Sequence, residues 1–177
     1  EVGDYFLLIS RLVPYKRIDI VIDAFSILNL PLVVVGKGRH RAALEARAGE
    51  NIRFLGHVSD TELNQLYARC QAAVFMSEDD FGISQVEAQA AGRPVIAYGV
   101  GGARDTVIEG VTGVLVNEQS VEGLLNGLHR FHELHFDPDR LTTHAQQYSR
   151  RRFQSELSEF VWETMSAHAK DGDKAWS

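Results

Sequence analysis

Cysteine, proline and long hydrophobic runs are scarce in this sequence, and each scarcity excludes a class of protein. The single cysteine, Cys70, cannot build an internal disulfide framework. No apolar run approaches the ~20 residues that a helix needs to span a bilayer, and we identify no signal peptide before the first apolar run. Four prolines and 45% apolar residues are typical of a globular chain, not of a disordered one.

The chain has 177 residues, which is enough for one ordinary domain. It begins Glu-Val-Gly-Asp without an initiator methionine, so we expect a fragment of a longer protein. We predict a single domain over residues 1–169, followed by a polar tail over residues 170–177.

Positive charge is in deficit overall but concentrated in one region. The chain has 18 Lys and Arg against 24 Asp and Glu, a net charge of −6, which argues against nucleic-acid binding because that function needs a basic surface. Residues 11–47 nevertheless hold seven Lys and Arg and only three Asp and Glu. Such a region indicates either a small anionic ligand or a solvated helix face.

Short apolar runs alternate with amphipathic stretches along the chain. The apolar runs lack polar alternation, as strands buried on both faces do, and they are Tyr5–Ser10, Leu32–Gly36, Ile52–Gly56, Ala72–Met76, Pro94–Tyr98 and Gly113–Val116. The stretches with helical character are Arg17–Leu28, Arg39–Ala48, Ser59–Cys70, Phe81–Ala91, Val121–Leu134, Pro138–Gln147 and Arg151–Ala169. This alternation predicts an α/β fold, a Rossmann-like doubly wound parallel sheet of about six strands with C-terminal helices.

Two local features refine this prediction. Ser59 and Glu62 have the spacing of a capping box at the start of a helix. In doubly wound sheets ligands bind at the carboxyl ends of the strands. We therefore expect every functional residue to lie directly after a strand.

The segment Glu78–Gly92 carries the strongest chemical signal, because it follows one strand and opens a helix. Gly82 lets the backbone turn tightly and lets a ligand approach. The N–H groups of Ile83, Ser84 and Gln85 are then expected to be free at the start of the helix. Unpaired amides and the helix dipole together form a phosphate site.

Two carboxylates flank this predicted phosphate site, Asp79 before the turn and Glu87 one helical turn inside. Ionised carboxylates repel phosphate but accept several hydrogen bonds from sugar hydroxyls. The order of hydroxyls, phosphates and hydroxyls matches a nucleotide diphosphate sugar. The alternative is ordinary helix-start chemistry, since acidic residues favour a first turn in any case.

The sequence DDFGISQVEAQAAGRPVIA at residues 79–97 resembles glycosyltransferase family 4, especially its mannosyltransferase-like members. Asp79 and Glu87 lie eight positions apart, like the paired glutamates of these retaining enzymes, with Asp in place of the first Glu. The resemblance implies a GT-B fold of two Rossmann-like domains. This chain would be the C-terminal, donor-binding domain, and the N-terminal acceptor domain would be absent from it.

The segment Ser10–Arg17 resembles the family segment after the first strand of this domain. The resemblance implies that Arg11 and Lys16 contact the donor diphosphate. Cations there would neutralise a pyrophosphate and stabilise it as the leaving group.

Glycine-containing loops follow the second, third and fifth predicted strands. Gly36 and Gly38 resemble the family's glycine loop, and they do not form the GxGxxG pattern of a nicotinamide-cofactor site. Gly56 lies in a segment that resembles the loop facing the nucleobase, and we interpret His57 beside it as an ordinary loop residue. Gly101 and Gly102 are interpreted as a turn and helix start with a secondary donor contact.

We expect structural and not catalytic roles for three histidines, the cysteine and one tryptophan. His129, His132 and His135 recur at three-residue steps, a spacing at which two can share a metal. Without a convincing further ligand, we predict an exposed helix face and no metal or other cofactor. Cys70 is expected in the core. Trp162 is expected on the packing face of the last helix, some of whose apolar residues are exposed without a partner domain.

The resemblance implies retaining transfer of a hexose in the cytoplasm, with GDP-mannose favoured as the donor and a UDP-sugar as the alternative. Asp79 would bind sugar hydroxyls and Glu87 the ribose. Any attachment to a membrane surface would come through a segment outside these residues, and the isolated domain is expected to be inactive. The rival hypotheses are a non-catalytic nucleotide-binding module and a nucleotide-sugar epimerase of GT-B fold.

Overall fold

The computed structural model describes residues 2–172, and their side chains as far as Ser166. A compact unit ends at Ala145, and a second begins at Gln146. The last helix extends to Gly172, into the predicted polar tail, and residues 173–177 of that tail lie outside the described residues. The predicted domain boundary at residue 169 stays a prediction.

Six parallel strands form one sheet in the first unit, in the order β3-β2-β1-β4-β5-β6. They are β1 Phe6–Ile9, β2 Leu32–Val35, β3 Ile52–Gly56, β4 Ala73–Phe75, β5 Val95–Tyr98 and β6 Gly113–Val116. The predicted Rossmann-like α/β fold is confirmed. The order reverses between β1 and β4, and the crevice at such a reversal is the usual ligand site of a doubly wound sheet.

Helices connect the strands and cover both faces of the sheet. Those of the first unit are α1 Ile18–Leu28, α2 Arg41–Glu45, α3 Asp60–Arg69, α4 Ile83–Ala90, α5 Ala103–Thr106, α6 Val121–Glu133 and α7 Pro138–Ala145. The ten-residue helix predicted at Arg39–Ala48 is wrong in length. The N–H groups of Arg47 and Ala48 bond three residues back, at 3.2 and 3.3 Å, so the chain tightens as α2 ends.

Successive side chains of β1 enter different hydrophobic clusters, as the two-residue period of a strand requires. Phe6 packs with residues of α1 and α6, including Phe25 and Leu128. Leu7 packs with residues of α3, α4 and α5, including Tyr67. Because both faces of β1 are buried, this strand carries no polar alternation.

The start of α3 confirms one local prediction in detail. The Ser59 hydroxyl accepts a hydrogen bond from the Glu62 N–H, and the Glu62 carboxylate accepts one from the Ser59 N–H. These reciprocal bonds satisfy two N–H groups that the helix start leaves without partners.

The second unit contains a 3-10 turn at Gln146–Tyr148 and helix α8 at Arg150–Gly172. Large apolar side chains of α8 are exposed, as expected from the sequence, and they are Phe153, Leu157, Phe160, Val161, Trp162 and Met165. Among residues 2–172, no helix combines the length and hydropathy that crossing a membrane demands.

Candidate functional site

An open cleft of about 440 Å³ lies at the carboxyl ends of the first strands. Its walls come from the exits of β1, β2 and β3 and from the first turn of α4, and the lining residues are Ile9, Ser10, Arg11, Lys16, Gly36, Lys37, His57 and Ser84. The structure therefore brings Arg11, Lys16, Gly36 and Ser84 together, although they are far apart in sequence. The cleft adjoins the reversal of strand order.

A single 3-10 turn, Pro14–Lys16, delivers Lys16 to the cleft. Arg17 follows in the left-handed conformation, with φ of 49°, and starts α1. The Lys16 ammonium forms an ion pair with the Asp79 carboxylate, and these side chains are 17% and 22% exposed. It also lies 5.4 Å from the centre of the Tyr15 ring.

Asp79 is held by both its side chain and its backbone. Its second carboxylate oxygen accepts a hydrogen bond from the Ser77 hydroxyl at 2.8 Å, and its carbonyl accepts one from the Gly102 N–H at 2.7 Å. Asp79 also forms an isolated parallel bridge with Gly101. Gly101 and Gly102 thus anchor the loop that contains Asp79. Helix α5 starts directly after this glycine pair, as predicted.

Positive charge lines the cleft beyond this ion pair. The Arg11 guanidinium donates to the Tyr15 hydroxyl at 2.5 Å, and both Arg11 and Lys37 are exposed. Within the described part of the chain, neither cation has a carboxylate partner. An anion entering the cleft would meet these charges first.

The first turn of α4 presents backbone donors, but fewer than predicted. Gly82 has φ of 85° and precedes the helix; a Cβ there would come within 2.7 Å of the Gln85 side chain. Between residues 2 and 172 no acceptor is found for the N–H groups of Ile83 and Ser84. The prediction is wrong for Gln85, whose N–H donates to the Gly82 carbonyl at 2.9 Å.

The Gln85 side chain is also committed to the interior. It is 1% exposed, and its amide oxygen accepts a hydrogen bond from the Thr106 hydroxyl at 3.0 Å. Gln89 donates to the Thr106 carbonyl at 2.7 Å in the same cluster. Gln85 therefore ties α4 to α5 and does not face a ligand.

Glu87 has a partner that the sequence did not suggest. The Tyr67 hydroxyl donates to its Oε2 atom at 2.9 Å and lies 3.2 Å from the Ser84 carbonyl oxygen. Burial raises the pKa of Tyr67 well above its usual range, and the negative charge of Glu87 adds to that effect. No sequence signal identifies this contact, because it depends on the packing of α3 against α4.

The predicted donor-binding glycines take different places. Gly36 lines the cleft, and a Cβ there would lie 1.8 Å from the Ser10 carbonyl oxygen, so only glycine allows the exits of β1 and β2 to meet. Gly38 packs against the Leu12 backbone. Gly56 accepts a hydrogen bond from the Gly36 N–H at 2.7 Å. Gly38 thus lies against the loop that follows β1, and Gly56 ties the end of β3 to the loop that follows β2.

The structure also locates residues to which the sequence analysis gave only structural roles. His57 lines the cleft, although we interpreted it as an ordinary loop residue. Cys70 is fully buried, as predicted, and burial raises the pKa of its thiol to about 12. His129 lies 3.6 Å from Glu133, and the His132 ring contacts Phe6. No group of three or more potential metal ligands occurs in the described residues.

Comparison with known proteins places this architecture in a family. The family model "Glycosyl transferases group 1" matches residues 2–150. Glycogen synthase of Mycobacterium tuberculosis is 33% identical over 141 residues, which cover 76% of this chain and 32% of the relative. D-inositol 3-phosphate glycosyltransferase of Corynebacterium aurimucosum is 30% identical, covering 92% of this chain and 44% of the relative. The chain thus spans less than half the length of these relatives.

Solved structures agree with the fold. The lipopolysaccharide outer core galactosyltransferase WaaB superimposes with a TM-score of 0.80 at 18% identity, over 90% of this chain and 49% of WaaB. Anabaena HepE in complex with UDP and glucose superimposes with a TM-score of 0.72 at 26% identity, over 93% of this chain and 48% of HepE. The chain therefore belongs to the glycosyl transferases group 1 family and has the Rossmann-like architecture of GT-B glycosyltransferases.

Proposed function

We propose that this chain is the donor-binding half of a retaining hexosyltransferase of family 4 and that it holds a nucleotide diphosphate sugar in the cleft. One observation carries the proposal: Arg11, Lys16 and the first turn of α4 share a single cleft. Had the two cations lain on the opposite edge of the sheet from Ser84, no single diphosphate could contact both groups.

The cations act on the leaving group. Arg11 and Lys16 bind the diphosphate and stabilise the negative charge that develops on it as the glycosidic bond breaks. The N–H groups of Ile83 and Ser84 assist, since both lack acceptors within the described residues. No metal ion is needed in this scheme, because side-chain and backbone donors supply the neutralising charge.

The carboxylates recognise hydroxyl groups on both sides of the diphosphate. Asp79 accepts hydrogen bonds from the donor sugar, and Glu87 accepts them from the ribose. Lys16 is paired with Asp79 in the ligand-free cleft, so it transfers from that carboxylate to the diphosphate when the donor binds.

The donor is a nucleoside diphosphate hexose, and separate observations support guanine and uracil as its base. The mannosyltransferase-like segment at residues 79–97 favours GDP-mannose. HepE, at 26 to 28% identity, was solved with UDP and with UDP-glucose, which supports a UDP-sugar. Both GDP and UDP therefore belong in the first binding experiment.

The acceptor binds to a second domain of the whole protein. We also propose that the whole protein acts in the cytoplasm. The matched relatives are two to three times as long as the aligned part of this chain. A cleft enzyme positions its two substrates between two walls, and positioning supplies a large part of the rate enhancement. We therefore expect the 177-residue chain to bind donor nucleotides and to transfer no sugar.

Thermal unfolding with GDP, UDP and ADP in excess tests donor binding, because a ligand that binds only the folded state raises Tm. One of the three should stabilise the chain more than the others, without added metal. Lys16→Met should weaken its binding about tenfold or more, the usual loss for a hydrogen bond to a charged group. Arg47→Met is the matched control, since Arg47 also forms an ion pair, with Asp23, but outside the cleft.

Assays of the whole protein separate the proposal from its rivals. A hexosyltransferase consumes donor only when an acceptor is present. An epimerase interconverts the donor sugar without an acceptor. A non-catalytic module binds nucleotide and converts nothing. Equal effects of Lys16→Met and Arg47→Met on binding would refute the assignment of the cleft.

A further inference from the structure

The side chain of Glu87 lies on the exposed face of α4, where a glutamate normally samples many rotamers. Here its carboxylate accepts a hydrogen bond from the Tyr67 hydroxyl at 2.9 Å. Tyr67 belongs to α3 and is only 2% exposed. A buried, immobile donor therefore fixes an otherwise mobile acceptor.

The Tyr67 ring is held by the core on one face of the sheet. It packs in the cluster that includes Leu7, Val33 and Ala88. Burial and the charge of Glu87 both raise the pKa of the phenol, so its hydroxyl is protonated and can donate at neutral pH. The geometry thus gives Glu87 a hydrogen-bond partner that the core holds in place.

The bond leaves part of the carboxylate available. Tyr67 contacts Oε2, so Oε1 and the remaining lone pairs can accept hydrogen bonds from a ligand. The same hydroxyl lies 3.2 Å from the Ser84 carbonyl, in the turn of α4 that lines the cleft. Tyr67 therefore connects the orientation of Glu87 to the first turn of α4.

We propose that Tyr67 is a positioning residue that holds the Glu87 carboxylate ready to bind the ribose hydroxyls of the donor. The inference rests on the proposed function, because it takes Glu87 as the ribose ligand. A pre-oriented acceptor binds more tightly than a mobile one, since less side-chain freedom is lost on binding. The effect should appear in affinity for a ribonucleotide and vanish when the ribose hydroxyls are absent.

The test compares Tyr67→Phe, Glu87→Gln and the double variant by calorimetric titration with the preferred nucleoside diphosphate and its 2′,3′-dideoxy analogue. Tyr67→Phe should weaken ribonucleotide binding about three- to tenfold, which corresponds to the cost of ordering one long side chain on binding, and change dideoxy binding less than about twofold. The double variant should bind as Glu87→Gln does, because both changes affect the same contact, the one between Glu87 and the ribose.

Tyr5→Phe is the matched control. The Tyr5 hydroxyl also donates to a protein acceptor, the Leu66 carbonyl, at 2.9 Å. Its loss should lower Tm as Tyr67→Phe does and leave both affinities unchanged.

The outcomes separate this inference from the proposed function. If no nucleotide binds the wild-type chain, the proposed function fails and the inference with it. If Glu87→Gln weakens ribonucleotide binding and Tyr67→Phe does not, the inference alone is overturned. Equal losses for the ribonucleotide and the dideoxy analogue also overturn it. Should Tyr67→Phe not fold, carbon-13 tyrosine NMR of the wild type replaces it: the Tyr67 Cζ signal must move with the ribonucleotide and not with the dideoxy analogue.

Discussion

Replacing Asp79 with asparagine should strengthen the binding of a nucleoside diphosphate. It should weaken the recognition of the hexose in the corresponding nucleotide sugar. In the ligand-free cleft the Asp79 carboxylate holds the Lys16 ammonium. Asp79→Asn keeps the shape of the side chain and an oxygen that accepts from the Ser77 hydroxyl. Under the proposed function, it removes the charge that would compete with a diphosphate for Lys16.

The magnitude follows from the burial of the pair. Two unit charges 4 Å apart attract by ~4 kcal/mol at an effective dielectric constant of ~20 and by ~1 kcal/mol in bulk water. Lys16 and Asp79 are 17% and 22% exposed, so their pair lies between these limits. Desolvation and side-chain ordering offset part of the attraction, which leaves about 1–2 kcal/mol. Because 1.4 kcal/mol is a factor of ten, Asp79→Asn should tighten diphosphate binding about five- to thirtyfold.

Calorimetric titration with UDP, UDP-glucose, GDP and GDP-mannose measures both effects. For the preferred base, the variant should bind the diphosphate more tightly, and the added affinity due to the sugar should fall. Asp23→Asn is the control, because it removes an equal charge from the ion pair with Arg47. Weaker diphosphate binding by Asp79→Asn would show that Asp79 positions Lys16 for the diphosphate and does not compete with it.

Three further predictions concern stability and reactivity. Gly82→Ala should lower the free energy of unfolding by about 2–3 kcal/mol and weaken nucleotide binding, because the new Cβ adds a contact to an unfavourable φ of 85°. Gly110→Ala, with φ of 72° and no atom within 4 Å of the new Cβ, should cost about 1 kcal/mol and leave binding unchanged, and urea unfolding compares the two. Cys70 should resist a thiol reagent near pH 8 until urea unfolds the chain, because the thiol is fully buried and its pKa is about 12; rapid labelling of the folded protein would contradict this. Hydrogen bonds from the Ser59 N–H and then from its hydroxyl lower the pKa of Glu62, so their stabilisation is present above the ordinary pKa of 4.5 and is lost as the pH falls through the lowered value. Ser59→Ala removes the hydroxyl bond and keeps the N–H bond, so it should reduce Tm somewhat more at neutral pH than in strong acid, and equal losses at both would refute the contribution of the hydroxyl.

The strands could be predicted well from the sequence because burial on both faces leaves a direct mark. Leu32–Val35 and Gly113–Val116 are continuous apolar runs, and the structure places both in the parallel sheet. The capping box at Ser59 was also predictable, since its partners are only three residues apart. The end of α2 could not be predicted. The N–H groups at its end donate to carbonyls three residues back instead of four, and no residue type in the segment indicates this change.

The candidate site was predictable in its location and less so in its contacts. The rule that ligands bind where strands end placed Arg11, Lys16 and Ser84 at one edge, and the structure brings them into one cleft. The Lys16 ion pair with Asp79 joins residues 63 positions apart, so it depends on strand order. The Tyr67 contact depends on helix packing. Neither leaves a pattern in the sequence.

A crystal structure of the chain with its preferred nucleoside diphosphate would show directly whether the cleft holds the donor. We expect the diphosphate to lie within hydrogen-bonding distance of the Ser84 N–H and the Lys16 ammonium, with the ion pair to Asp79 broken. A second cavity, of about 430 Å³, is lined in part by Arg17, His40 and Arg47. A nucleotide bound there, or one that leaves Lys16 paired with Asp79, would show that the cleft at the strand ends is not the diphosphate site.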